Sequence, residues 1–143
     1  DTDARFEYTR LSPWVYTHMF PINTYSQYGS VLGYHTGPNS DEMTVEVRKR
    51  FSRRLGMSVS WFRYRHGANP PGVNVGGDMG RGWKKGDSKE ARFLDGIVEK
   101  VQTTGVDVTY EPLWQLFIRA GYRYEDHDGR ANHVVRFSFG LNE

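Results

Sequence analysis

The chain has 143 residues, with 19 Lys and Arg against 17 Asp and Glu, and its formal net charge is only +2. This balance gives no argument for a nucleic-acid partner, and the absence of cysteine excludes disulfides and thiolate metal sites. Aromatic residues make up 15% of the chain although its mean hydropathy is −0.70. That combination favours a transmembrane β-barrel, because each strand of such a barrel is apolar on one face only.

Segments in which apolar and polar residues alternate recur along the chain, and they predict about six strands. In the first, Pro13 indicates a bend, and Trp14 and Tyr16 continue the alternation beyond it. The fourth is expected to begin near Leu94, although a short helix that starts with Ser88 as its N-cap is an alternative. The alternating parts of the predicted strands cover residues 5–18, 42–51, 57–65, 98–110, 116–125 and 132–141, and the fourth extends back toward Leu94.

Two long connections, at about residues 19–41 and 66–93, keep no period; both are rich in Gly, Pro and Asn, and the first is also rich in Tyr. They alternate with shorter connections at 52–56, 111–115 and 126–131. Long outer loops and short periplasmic turns alternate in this way in bacterial outer-membrane barrels. The sequence therefore predicts one all-β domain over residues 1–143, an antiparallel up-and-down barrel wall with both long loops on the outer side.

Each strand presents one apolar and one polar face. The apolar faces are expected to meet lipid and comprise Met43, Val45, Val47, Leu116, Ile118, Ala120, Val135, Phe137 and Phe139. The opposite faces are rich in arginine, which pairs with carboxylates in a specific bidentate geometry. In a polar barrel lumen, neighbouring strands bring opposite charges together. We therefore predict a lumen charge network, paired between neighbouring strands, of Glu46, Arg48, Arg50, Asp107, Arg119, Arg123, Glu125 and Arg136.

Catalysis finds little support in the sequence. No nucleophile elbow, zinc-protease motif or phosphate-binding glycine loop is present, and the five histidines are scattered. Residues 126–129 (Asp-His-Asp-Gly) resemble the start of a calcium loop but lack its later acidic ligands, so a plain turn is expected there. We therefore predict a non-enzymatic protein with no catalytic residue, no metal site and no cofactor.

Binding is better supported, because sugar rings stack on aromatic side chains while Asn, Asp and His orient toward their hydroxyl groups. The first long loop offers this mixture, and Trp83 of the second loop lies beside several basic residues. The alternative is that these tyrosines only pack the loop onto the wall. The candidate polysaccharide contacts are Tyr25, Tyr28, Tyr34, His35, Asn39, Asp41 and Trp83.

The segment 37–41 (Gly-Pro-Asn-Ser-Asp), which follows Tyr25, Tyr28 and Leu32-Gly33, resembles the Wzi-like capsule-assembly family of bacterial outer-membrane proteins. The segments 93–96 (Phe-Leu-Asp-Gly) and 120–124 (Ala-Gly-Tyr-Arg-Tyr) are also similar to that family. The resemblance implies a large outer-membrane barrel that acts as a lectin and holds surface or capsular polysaccharide at the cell surface. Its partners would be this glycan, outer-membrane lipid and further strands, with no nucleic acid.

About six strands are too few to close a large barrel. The resemblance therefore implies the C-terminal portion of one, with the remaining strands upstream. Segment 37–41 itself is expected to be the bend that feeds the next strand. Two other hypotheses stay open. One is a soluble β-sandwich or small barrel that binds a ligand, in which the apolar faces converge on one interior; the other is a porin-like wall that uses its arginines for anionic solutes.

Overall fold

A computed structural model of the chain describes residues 1–18, 20–28, 30–87, 90 and 92–141. The described residues form an all-β fold, as predicted, and contain no α-helix, only a 3₁₀ turn at Pro21–Asn23. The predicted N-cap Ser88 lies outside the described residues, as do positions 19, 29, 89 and 91 of the two long loops.

The main sheet has six antiparallel strands that lie side by side in their order along the chain, which confirms the predicted meander. It is not closed into a barrel, and its two edges are the first and last strands. A separate two-stranded hairpin, β2 with β3, lies within the first long loop. The strands are β1 (Thr2–Leu11), β2 (Ser26–Gln27), β3 (Ser30–Val31), β4 (Ser40–Arg50), β5 (Leu55–Ala68), β6 (Ile97–Leu113), β7 (Leu116–His127) and β8 (Arg130–Leu141).

The prediction that the first strand continues to residue 18 was wrong. β1 ends at Leu11, and Trp14 and Tyr16 each have φ of 68°. Such a left-handed conformation cannot continue a strand. The start of the fourth predicted strand also shifts, because Leu94 (φ 58°) and Gly96 (φ 93°) form a turn before β6 begins.

The last two connections are tighter than predicted. β6 continues to Leu113 through a β-bulge, so only residues 114 and 115 join it to β7. β7 and β8 are joined by Asp128 and Gly129, both with positive φ. This geometry is that of a type I′ hairpin turn, for which Asp-Gly is a preferred pair. The amide of Gly129 donates to Asp126 Oδ1 at 2.8 Å, so segment 126–129 is a turn as expected.

The register shows which side chains share a face. Ile118, Ala120 and Tyr122 of β7 lie opposite Phe139, Phe137 and Val135 of β8, as their alternation predicts. None of the large apolar side chains in the described part of the chain is buried, and Val135 and Leu141 are 79% and 75% exposed. The apolar face of this sheet is therefore open.

The chain divides into two compact units. The first comprises Asp1–Glu7, Met43–Arg63 and Val101–Glu143, and it contains most of the sheet and its charged face. The second comprises Tyr8–Glu42 and Tyr64–Lys100, and it contains both long loops with the strand ends that hold them. The predicted ligand contacts all belong to the second unit.

Candidate functional site

The segment 37–41 (Gly-Pro-Asn-Ser-Asp) is a buried bend that leads into β4, which begins at Ser40. Gly37 and Asn39 have φ of 71° and 54°, a region that Gly and Asn tolerate better than other residues. Ser40 Oγ donates to the carbonyl of Gly37 at 2.7 Å and closes the bend. The expectation that this segment feeds the next strand is confirmed.

Asn39 is fully buried and connects three parts of the second unit. Its Nδ2 donates to the carbonyls of Gly67 (2.7 Å) and Asp95 (3.0 Å), while its Oδ1 accepts the amide of Leu94 at 2.7 Å. Gly67 must be glycine here, because a Cβ would collide with Asn39 Nδ2. Asn39 therefore joins the first long loop, β5 and the end of the second long loop.

Asp41 is 1% exposed and accepts hydrogen bonds from two nitrogens of the Arg65 guanidinium, from Nε at 2.9 Å to Oδ1 and from Nη2 at 2.5 Å to Oδ2. Tyr8 donates to the same carboxylate at 3.3 Å. A buried carboxylate needs such partners to offset its desolvation. Asn39 and Asp41 were predicted as polysaccharide contacts, but their burial removes them from any surface that a polymer could touch, and we no longer assign them that role.

A polar aromatic cluster surrounds Glu42. Tyr34 donates its hydroxyl to Glu42 Oε1 at 2.9 Å, and His35 Nε2 lies 2.9 Å from Oε2. The second contact satisfies the distance of an ion pair but not hydrogen-bond geometry, since Oε2 is buried without a hydrogen-bond partner. The rings of Tyr34 and His35 are 4.6 Å apart. Tyr34 is therefore held in place, while His35 is mostly exposed and accessible to a ligand.

Tyr64, His66 and Glu99 form a second cluster, which the sequence did not indicate. His66 Nε2 lies 2.8 Å from the carbonyl of Gly77, and its Nδ1 lies 3.2 Å from Glu99 Oε2. Because a carbonyl only accepts, Nε2 carries a proton, and Nδ1 can also donate to Glu99 only in the doubly protonated ring. Tyr64 stacks on His66 with ring centroids 6.3 Å apart. The one trace of it in the sequence is the far half of the predicted strand 57–65, where Phe62 and Tyr64 fall on the serine face and blur the alternating pattern.

The remaining predicted tyrosines lie in the first long loop and differ in exposure. Tyr25 is half exposed and stacks on Tyr16 with centroids 5.7 Å apart. Tyr16 also accepts the amide of Tyr34 through its hydroxyl oxygen at 3.1 Å. Tyr28 is 98% exposed. Tyr16 thus packs the loop, Tyr28 is open to solvent, and Tyr25 is half exposed beside Tyr16.

The second long loop is organised by two buried or partly buried asparagines. Asn69 Oδ1 accepts the amides of Val75 and Gly77, and its Nδ2 donates to Asn74 Oδ1 at 3.0 Å. Asn74 Nδ2 donates to Asp87 Oδ2 at 3.1 Å. Trp83 is partly exposed beside this network. These contacts explain how a loop without regular structure is held in a defined conformation.

The first unit carries the charged face. The ion pairs found there join residues two apart on one strand: Arg5 with Glu7 at 2.7 Å, Arg48 with Glu46 at 2.8 Å, and Arg123 with Glu125 at 4.0 Å. They are therefore made along strands, whereas the sequence predicted pairing between neighbouring strands. An open cleft of about 540 Å³ lies on this unit; its lining includes Asp3, Glu46, Arg48, Arg50, Ser58, Asp107 and Thr109.

The structure thus brings Tyr34 and His35 together and leaves Tyr25, Tyr28 and Trp83 as separate surface features of one unit. Within the described ranges, no group of three His, Asp or Glu is arranged to hold a metal ion. No helix in the part of the chain that the structure describes is long and apolar enough to cross a membrane. No family model, curated protein or solved structure matches the chain.

Proposed function

We propose that this chain is a wall segment of a bacterial outer-membrane β-barrel that binds surface polysaccharide and performs no catalysis. The observation that carries the proposal is the pair of unlike faces on one open antiparallel sheet. One face is apolar and exposed, and the other carries arginines and carboxylates. A barrel wall needs this combination, since lipid lies on one side of it and water on the other.

The apolar face supports the membrane assignment through its exposure. β8 presents Val135, Phe137, Phe139 and Leu141 in alternation, and each is more than 60% exposed. Such a contiguous patch is unfavourable in water and marks a surface that meets lipid or another protein. Burial in lipid would release about 25 cal/mol for each Å² of apolar surface covered.

The sandwich hypothesis requires a second layer over this same face. Val47, Val135 and Phe137 are 41%, 79% and 64% exposed, so they are not packed into a shielded interior in this chain.

The porin-like hypothesis has a specific observation in its favour, the arginines of the charged face. Anion-selective conductance without affinity for glycans would make it the better assignment.

The membrane part of the proposal is tested on the full-length protein that contains this chain. We expect recovery in the outer-membrane fraction and a heat-modifiable mobility on a denaturing gel, because folded barrels resist detergent until they are heated. Recovery in the soluble fraction without detergent would contradict the assignment.

The binding part of the proposal rests on the exposed aromatic rings of the first long loop. It is tested by measuring the affinity of the protein for capsular polysaccharide immobilised on a surface. Replacing Tyr25 and Tyr28 by Ala is expected to weaken binding by about two- to tenfold for each ring that stacks on a sugar. Ile22→Ala is the matched control, since Ile22 is an exposed apolar side chain of the same loop that has no ring. Equal binding by the tyrosine variants and the wild type would rule out this contact surface.

A further inference from the structure

The polar face of β7 and β8 contains arginines whose cross-strand neighbours are neutral. Arg119 lies between Thr109 of β6 and Ser138 of β8. Arg123 lies between Gly105 and Val134 on the same two strands. Neither arginine therefore has a carboxylate directly opposite it.

Arg136 of β8 completes the set, because it lies opposite Gly121, midway between Arg119 and Arg123 along β7. Diagonal neighbours in an antiparallel pair are about 7–8 Å apart. Arg136 is therefore close to both other arginines, and all three side chains are exposed. We call Arg119, Arg123 and Arg136 the arginine ladder.

Positive charge is in excess on this part of the sheet. On the polar face of the described residues 116–141, Arg130 by the hairpin turn adds a fourth guanidinium, and Glu125 is the single acid, 4.0 Å from Arg123. On the neighbouring strand β6, Asp107 lies opposite Gly121 and adds one further carboxylate, so positive charge still exceeds negative charge here. On β1 and β4, two arginines have close acidic partners instead: Arg5 lies 2.7 Å from Glu7 and Arg48 lies 2.8 Å from Glu46.

Gly121 opens a shallow cleft inside the ladder, which is lined by Asp107, Arg123 and Arg136 among others. A side chain at position 121 would meet Asp107 Oδ1, so the carboxylate of Asp107 lies over the glycine. The cleft therefore combines two guanidinium groups, which bind carboxylates or phosphates, with one oxygen acceptor that suits a sugar hydroxyl. Phe117 adds an aromatic ring on the same face, 5.8 Å from the Arg119 guanidinium.

We propose that the arginine ladder binds the anionic groups of an acidic polysaccharide, so that the glycan recognised by this protein carries carboxylate or phosphate substituents. The inference rests on the proposed function and narrows its ligand class. Like charges this close repel one another, and a polyanion lying along the ladder relieves that repulsion. A neutral glycan cannot make this contribution.

The test uses the full-length protein in detergent, with polygalacturonate as the acidic probe and dextran as the neutral one. Each single Arg→Gln change in the ladder is expected to weaken polygalacturonate binding about two- to fivefold, and the triple variant about tenfold or more. Dextran binding is unaffected. The wild-type affinity for polygalacturonate also falls as sodium chloride is raised toward about 0.5 M, because salt screens exposed charges.

The matched control is the double variant Glu46→Gln with Arg48→Gln, which removes a charge pair from the same face without changing the net charge. It is expected to bind polygalacturonate like the wild type. Heat-modifiable mobility reports whether each variant is folded. If the triple variant fails to fold, the single variant Arg119→Gln carries the test, since Arg119 is exposed on the ladder.

Three results would overturn the inference: unchanged polygalacturonate binding by folded ladder variants, an equal loss in the control, or displacement of the polymer by monomeric galacturonate at the same carboxylate concentration. The last would make the ladder a general anion site. Failure of the proposed function is distinguishable, because the wild type would then bind neither probe nor purified capsular polysaccharide.

Discussion

Replacement of Asn39 by Ala tests whether one buried side chain holds the two long loops to the strands. The change removes three hydrogen bonds, to the carbonyls of Gly67 and Asp95 and from the amide of Leu94. Each is worth about 1 kcal/mol net. Ala at a φ of 54° adds about 1 kcal/mol of backbone strain. Asp95 is exposed, so water can replace the hydrogen bond to its carbonyl and reduce the loss. We therefore expect local stability to fall by about 2–4 kcal/mol.

Hydrogen exchange at the amide of Leu94 measures this loss, because that amide donates to the Asn39 side chain. A loss of about 2–4 kcal/mol corresponds to exchange about 30- to 900-fold faster in the variant. Asn39→Gly is the comparison, since Gly accepts positive φ without strain. If the Leu94 amide exchanges at the wild-type rate in Asn39→Ala, the Asn39 side chain does not hold the loops to the strands. If Asn39→Gly exchanges at the wild-type rate while Asn39→Ala exchanges faster, the backbone conformation at this position matters and the side-chain hydrogen bonds do not.

Three further outcomes are expected. Arg65→Lys keeps the charge but loses the bidentate contact with buried Asp41. Chemical denaturation is expected to show that the free energy of unfolding falls by about 2–3 kcal/mol, and an unchanged denaturation midpoint would contradict this. Gly121→Val displaces the Asp107 carboxylate, which is the free end of a side chain and can move aside, so the loss of stability is expected to stay below about 1 kcal/mol. A larger loss, largely restored by adding Asp107→Ala, would show instead that this carboxylate is held in place. Tyr28→Ala changes the free energy of unfolding by less than about 0.5 kcal/mol, because the ring is 98% exposed, and a larger change would mean that Tyr28 packs the loop.

The strands were predictable wherever apolar and polar residues alternate, because successive side chains of a strand point to opposite faces. Val135, Phe137 and Phe139 alternate with Val134, Arg136 and Ser138, and the register places the two sets on opposite faces of β8. The turn at Asp128 and Gly129 was visible for a similar reason, since few residue pairs accept two positive φ values. Strand ends were less predictable. Trp14 and Tyr16 fit an alternating pattern, yet their backbone leaves the sheet.

The candidate site was only partly predictable. Exposed Tyr25 and Tyr28 agree with a loop that presents aromatic rings, whereas Asn39 and Asp41 share the same stretch and are buried. A local sequence does not distinguish these cases, because the partners of Asn39 lie 28 and 56 residues away. The Tyr64 and His66 cluster was missed for the same reason, since its contacts come from Gly77 and Glu99.

The sequence by itself determined the all-β class, the order of six strands, the division of each strand into an apolar and a polar side, and the alternation of long and short connections. These properties depend on residues near one another along the chain. Only the tertiary structure decided that Asp41 is a buried partner of Arg65 and that Gly121 lies between the arginines of the ladder. Burial and register are set by which distant segments pair, and a one-residue shift in pairing would move every side chain to the other face.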